Sequence, residues 1–179
     1  CLIFDECTTG FRDVYGGLHL KYGINPDLAM FGKAIGNGYS ITTIIGKKPI
    51  MIKANKSFIS STFWSERIGF VAGIATLNEM KRIKSWKIIS SKGRKIKSML
   101  TKLATQSNLG IRFKGLDALI KFELLNTKIK NYENFITHEM LKRGFLASNS
   151  IYISTSHTDK LIKKYIKEMK IIFQKLGNK

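Results

Sequence analysis

The chain has 179 residues, 44% of them hydrophobic, and 31 lysines and arginines against 12 acids give a formal net charge of +19. This is too apolar for a disordered chain and long enough for one substantial core, or for one domain with part of another. No apolar run approaches the length of a membrane-spanning helix, and two cysteines and three scattered histidines lack the clustered spacing of a metal site.

The charge needs its own reading. Lysine dominates over arginine and is spread along helix faces, without arginine forks or interleaved aromatics. A general lysine and isoleucine bias explains this better than a nucleic-acid surface, so nucleic acid is not an expected partner. Cys1 and Cys7 are expected to be reduced thiols of a cytoplasmic protein. The opening Cys1-Leu2-Ile3-Phe4 starts inside an apolar strand with no initiator methionine, as a fragment of a longer protein would.

In chain order, Leu2–Phe4 reads as a strand buried on both faces of a parallel sheet, ending at Asp5-Glu6. A short helix is expected around Leu18–Tyr22, a turn at Gly23-Ile24-Asn25-Pro26-Asp27, and a second strand over Leu28–Phe31. Ile41–Ile45 is a third strand, followed by a short helix near Ile50–Ala54. One long helix or two broken ones should fill Glu66 to Ala104. The first part, with Ile68, Phe70, Val71 and Ile74, is apolar nearly all round and therefore expected to be buried.

From Leu109 the pattern changes. Ile111–Lys114 and Ala118–Leu124 alternate as strands around a turn at Gly115-Leu116-Asp117. A helix over Tyr132–Arg143 stops at Gly144, a strand follows near Ile151–Ser154, and a last helix covers Asp159–Leu176. The expected outline is α/β: part of a sheet domain over residues 1–80, a connecting helix over 81–108, and a small α+β domain over 109–179.

Four groups of residues could carry chemistry. Asp5, a buried-looking acid at a strand's carboxyl end, lies where α/β proteins bind ligands, although a helix cap or structural ion pair would use the same residue. Lys33 follows the second strand among Gly32, Gly36 and Gly38, at the same kind of edge. A desolvated lysine there attacks carbonyls. The phosphate-loop alternative fails, because Ala34 stands where a hydroxyl would hold magnesium. Ser60-Ser61-Thr62 precedes the long helix and suits either a phosphate or a helix cap, and by itself reads as the cap. Ser154, Ser156, His157 and Asp159 are too close in sequence to build a hydrolase triad.

Taken together, Leu2-Ile3-Phe4-Asp5-Glu6, Thr9-Gly10-Phe11-Arg12, Gly23 to Leu28, Gly32 to Gly38 and Ser61-Thr62 resemble the class III pyridoxal-phosphate aminotransferases, a group that includes glutamate-1-semialdehyde aminomutase. The resemblance implies the C-terminal part of a fold-type I large domain followed by a small domain. It implies a Schiff base between Lys33 and pyridoxal phosphate, and Asp5 paired with the pyridine nitrogen. It also implies Cys7 packed on the ring, where a branched apolar residue is usual, and Thr62 on the cofactor phosphate of a partner subunit in a homodimer. Substrates would be a small-molecule amino donor and a carbonyl acceptor, with no metal. Phe63-Trp64-Ser65-Glu66-Arg67 replaces a usual Gly-Asn-Pro pattern and points away from the aminomutase proper, toward a sugar-related branch. The alternatives are that aminomutase itself, a non-enzymatic basic binding module, or an inactive fragment.

Overall fold

The computed structural model describes residues 1–63 and 66–177. They form two compact units, Cys1–Lys87 and Ile88–Lys179.

In the first unit, β1 (Ile3–Asp5), β2 (Leu28–Phe31) and β3 (Thr43–Gly46) form a sheet in that order. β1 and β2 are parallel, with Asp5 opposite Met30. β3 runs antiparallel to β2, so the sheet is mixed. The reason is local: the link from Phe31 to Thr43 has only a short 3-10 turn, Lys33–Ile35, and no crossover helix to return the chain in the same direction. Ala29, Phe31 and Ile35 make a small core, with Phe4, Phe11, Ile41 and Leu77 packed on it.

Two burial expectations are corrected here. β1 is largely exposed, as is Leu2 just before it, and of its three residues only Phe4 is part-buried. After the short α1 (Lys48–Met51), helix α2 (Arg67–Ile83) buries only Gly69 and Gly73, beside Tyr39 and Ile41. Ile68, Phe70, Val71 and Ile74 are each more than half exposed. All-round apolarity signals a helix with partners on every side, and the described residues supply one side only. Of the one long helix or two broken ones expected, the chain forms two: Lys84 adopts a left-handed φ of 53° and ends α2, and α3 (Ser85–Gln106) begins immediately.

The second unit holds the main core. β4 (Gly110–Lys114), β5 (Leu119–Leu125) and β6 (Ser150–Tyr152) form an antiparallel sheet with β5 central. Alternation on β5 buries Ile120, Phe122 and Leu124 and turns Lys121 and Glu123 to the other face. Those apolar residues join Ile96 and Leu100 of α3, Ile136 and Met140 of α4 (Tyr132–Lys142), and Met169, Ile172 and Phe173 of α5 (Asp159–Gly177). Each such side chain contributes about 1.5–3 kcal/mol on burial. The lysines of α5 (Lys160, Lys163, Lys164, Lys167 and Lys170) lie exposed, as helical periodicity requires.

Glu139 is a buried acid in this unit, held by Lys175 (2.7 Å), Arg143 (3.0 Å) and Lys142 (3.4 Å). The Lys175 ammonium is the main cause that lowers its carboxyl to about 2, from 4.5, against the opposing effect of burial. A depressed carboxyl stabilises the fold above its unfolded value and stops doing so as it is protonated in the folded state. Stability should therefore be complete above pH 4.5 and fall as pH drops from there toward 2. Glu139→Gln is expected to cost about 1–2 kcal/mol at neutral pH, after allowance for its solvent-screened partners. It should also flatten the acid limb of a urea-denaturation profile, and an unchanged limb would refute the assignment.

Candidate functional site

Parallel pairing decides the site. Because β1 and β2 run the same way, their carboxyl ends share one edge, and Asp5 is the last residue of β1 while Gly32-Lys33 directly follows β2. Residues far apart in sequence thus meet at the edge where α/β sheets bind ligands.

Asp5 is exposed at this edge, a correction to the buried acid expected; the buried acid is its neighbour Glu6. The Cys7 amide donates to Asp5 Oδ1 at 3.0 Å. That amide first, then the Cys7 thiol and the charge of Lys33, hold the Asp5 carboxyl below its usual range, against a smaller opposing effect of desolvation. The Cys7 thiol is pushed up, by burial and then by the Asp5 carboxylate. At neutral pH the edge therefore presents an ionised carboxylate beside a neutral thiol.

Lys33 is exposed and adopts a left-handed φ of 43°, unusual for a residue with a side chain. Its Nζ donates to Thr8 Oγ1 at 2.5 Å. Among the described residues Lys33 and Asp5 form no direct ion pair, although the Lys33 charge reaches the Asp5 carboxylate.

Beneath the edge lies a braced loop that sequence reasoning did not assign. Glu6 is buried and accepts from the Thr9 hydroxyl, from the His19 amide at 3.0 Å, and meets His19 Nδ1 at 3.1 Å. Burial pulls its carboxyl up, but the bonds from Thr9, His19 and Leu18 outweigh it and hold it low. The Thr9-Gly10-Phe11-Arg12 run was visible as a motif, yet nothing in its residue types separates a brace from a loop. Only the fold shows that Glu6 turns inward while Asp5 turns out.

Thr62 lies in an exposed turn, and no described contact joins it to Asp5, Cys7 or Lys33. It is not the cap of α2. That position is Glu66, extended and without a side-chain capping bond, because the helix starts five residues beyond the threonine. Trp64 and Ser65, in the segment that departs from the Gly-Asn-Pro pattern, lie outside the described residues. The remaining cluster, Ser154 with His157, is a turn: the Ser154 amide, not its hydroxyl, donates to His157 Nδ1 at 3.2 Å. Among the described residues no group of three acids, histidines or cysteines could hold a metal, and no helix is long and apolar enough to cross a membrane.

A carboxylate kept ionised at one strand end, with an amine after the next strand, is a donor set that fits an electron-poor, aldehyde-bearing heteroaromatic ring. A family model described as aminotransferase class-III matches residues 1–172. The 3-aminobutyryl-CoA aminotransferase of Cloacimonas acidaminovorans is 34% identical over 169 residues, which is 88% of this chain and 40% of that protein. A glutamate-1-semialdehyde 2,1-aminomutase of Desulfosudis oleivorans is 28% identical, over 98% of this chain and 45% of its own length. Among solved structures, the FumI protein of Sphingopyxis sp. MTA144, in its PLP internal aldimine form, has the same fold: TM-score 0.91 at 20% identity, over 98% of this chain and 43% of that one. The chain spans less than half the length of these relatives.

Proposed function

This chain belongs to the class-III aminotransferase family, and on that premise we propose that it carries the lysine and aspartate of a pyridoxal-phosphate-dependent amino-group transferase. The observation that carries the reading is the shared edge: Asp5 ending β1 and Lys33 following its parallel neighbour β2. When bound, pyridoxal phosphate supplies an aldehyde that condenses with amines and a ring that withdraws electrons from the attached carbon.

The chain's residues have distinct tasks. Lys33 Nζ binds the cofactor covalently and, when free, moves a proton to and from the substrate carbon. Asp5, held ionised by the Cys7 amide and thiol, keeps a proton on the ring nitrogen by charge. Cys7, neutral and half-buried, packs beside the ring. Thr62 serves the phosphate across a homodimer interface. Phe58, Ile59, Phe63, Ile68 and Phe70, near it in sequence and each exposed, support contact of this segment with a further polypeptide surface. Substrates are a small amino donor and a carbonyl acceptor, and the location is cytoplasmic, in keeping with two free cysteines.

The test is covalent mapping. The intact protein is loaded with pyridoxal phosphate, reduced with borohydride and digested. The cofactor mass is expected on the peptide containing Lys33, and its appearance only on other lysines would overturn the reading. Asp5→Asn removes the charge that holds the ring proton and should lower turnover by on the order of 10²-fold. A variant within threefold of wild type would remove Asp5 from the mechanism.

A further inference from the structure

One contact at the edge has no part in the tasks above: Lys33 Nζ donates to Thr8 Oγ1 at 2.5 Å. A free lysine side chain has four rotatable bonds and spreads over many rotamers. A fixed acceptor is needed to keep its amine in one place.

Thr8 is such an acceptor. Its backbone is fixed from both sides: Arg12 Nε donates to the Thr8 carbonyl at 2.8 Å, and the Gly10 amide donates to the Glu6 carbonyl at 2.8 Å. The next residue, Thr9, is tied through its hydroxyl to buried Glu6, which His19 holds in turn. At the other end, the Lys33 backbone sits at φ 43° in a 3-10 turn closed by the Ile35 amide on the Gly32 carbonyl at 3.2 Å. Both partners of the bond thus stand on backbone that cannot readily move.

We propose that Thr8 is a positioning residue for Lys33, its hydroxyl holding Nζ at the sheet edge whenever the lysine amine is free. The proposal rests on the reading of Lys33 as the cofactor-binding lysine. It adds a residue whose effect is confined to the free amine, and it predicts that the hydroxyl matters while the methyl does not.

The experiment uses the intact apoprotein and three variants, Thr8→Val, Thr8→Ser and Lys33→Ala. The first readout is the rate at which visible absorbance of bound cofactor appears after pyridoxal phosphate is added. The second is the affinity for pyridoxine phosphate, which lacks the aldehyde and reports pocket integrity alone. Thr8→Val should load about tenfold more slowly with unchanged pyridoxine phosphate affinity, and Thr8→Ser should load within twofold of wild type. Loading of Thr8→Val at the wild-type rate overturns the proposal. So does slow loading that serine fails to restore, or that is matched by weaker pyridoxine phosphate binding. If Lys33→Ala acquires the same absorbance as wild type, the assignment of Lys33 has failed and not merely the role of Thr8.

Discussion

Replacing Lys33 by alanine in the intact protein is expected to abolish the visible absorbance of covalently held cofactor and to lower amino transfer by on the order of 10⁵-fold or more. The size follows from two losses at one atom. Without Nζ there is no amine to bind the aldehyde, and no base to move the proton at the substrate carbon. The fold should survive. Lys33 is exposed, and its described side-chain bond is the one to Thr8. Alanine meets the same left-handed φ of 43° that lysine already tolerates, so the backbone strain of about 1–2 kcal/mol is common to both. A far-UV spectrum and a melting curve close to wild type, beside a colourless protein, make the expected result. A coloured, active Lys33→Ala protein would sink the assignment.

The second large effect concerns stability. Gly93→Ala is expected to destabilise the fold by about 2–4 kcal/mol, although alanine is the better helix former by nearly 1 kcal/mol. Gly93 lies on the face of α3 against the turn at Asp117, and an added Cβ would collide with the Asp117 backbone carbonyl. The turn cannot retreat cheaply. The Asp117 carboxylate is tied to the same helix by Lys97 at 2.8 Å and Arg94 at 3.1 Å, so moving the carbonyl strains both ion pairs. Urea denaturation of Gly93→Ala beside Ser91→Ala, an exposed position on the same helix, separates packing from propensity. Ser91→Ala should be neutral or slightly stabilising. A Gly93→Ala protein as stable as wild type would mean that the close approach is not there.

Much of the second unit is legible without coordinates. The 3.6-residue stripe of α5 and the two-residue alternation of β5 each name their buried residues, because those periods follow from backbone geometry alone. The first unit is less transparent, for a physical reason. Its strands are short, and apolarity there reports what the residues could bury, not what covers them. Hence Ile3, Phe70 and Val71 read as core and stand exposed. The antiparallel return of β3 and the position of the helix break at Lys84 were equally hidden, since both depend on loop geometry that composition does not encode.

The site divides along the same line. By itself the sequence determined the family and put forward the pair on which the proposed function rests: Asp5 after one apolar strand, and Lys33 among glycines after the next. Residue type and order carry that information, because the proposed chemistry needs an acid and an amine at strand ends. Only the tertiary structure decided that Asp5 faces outward and Glu6 inward, that a Glu6–His19–Thr9 brace lies beneath, and that Thr8 receives Lys33 Nζ. Two adjacent acids, or two adjacent threonines, are alike as letters. They differ only once a parallel pairing and a tight loop give each a direction.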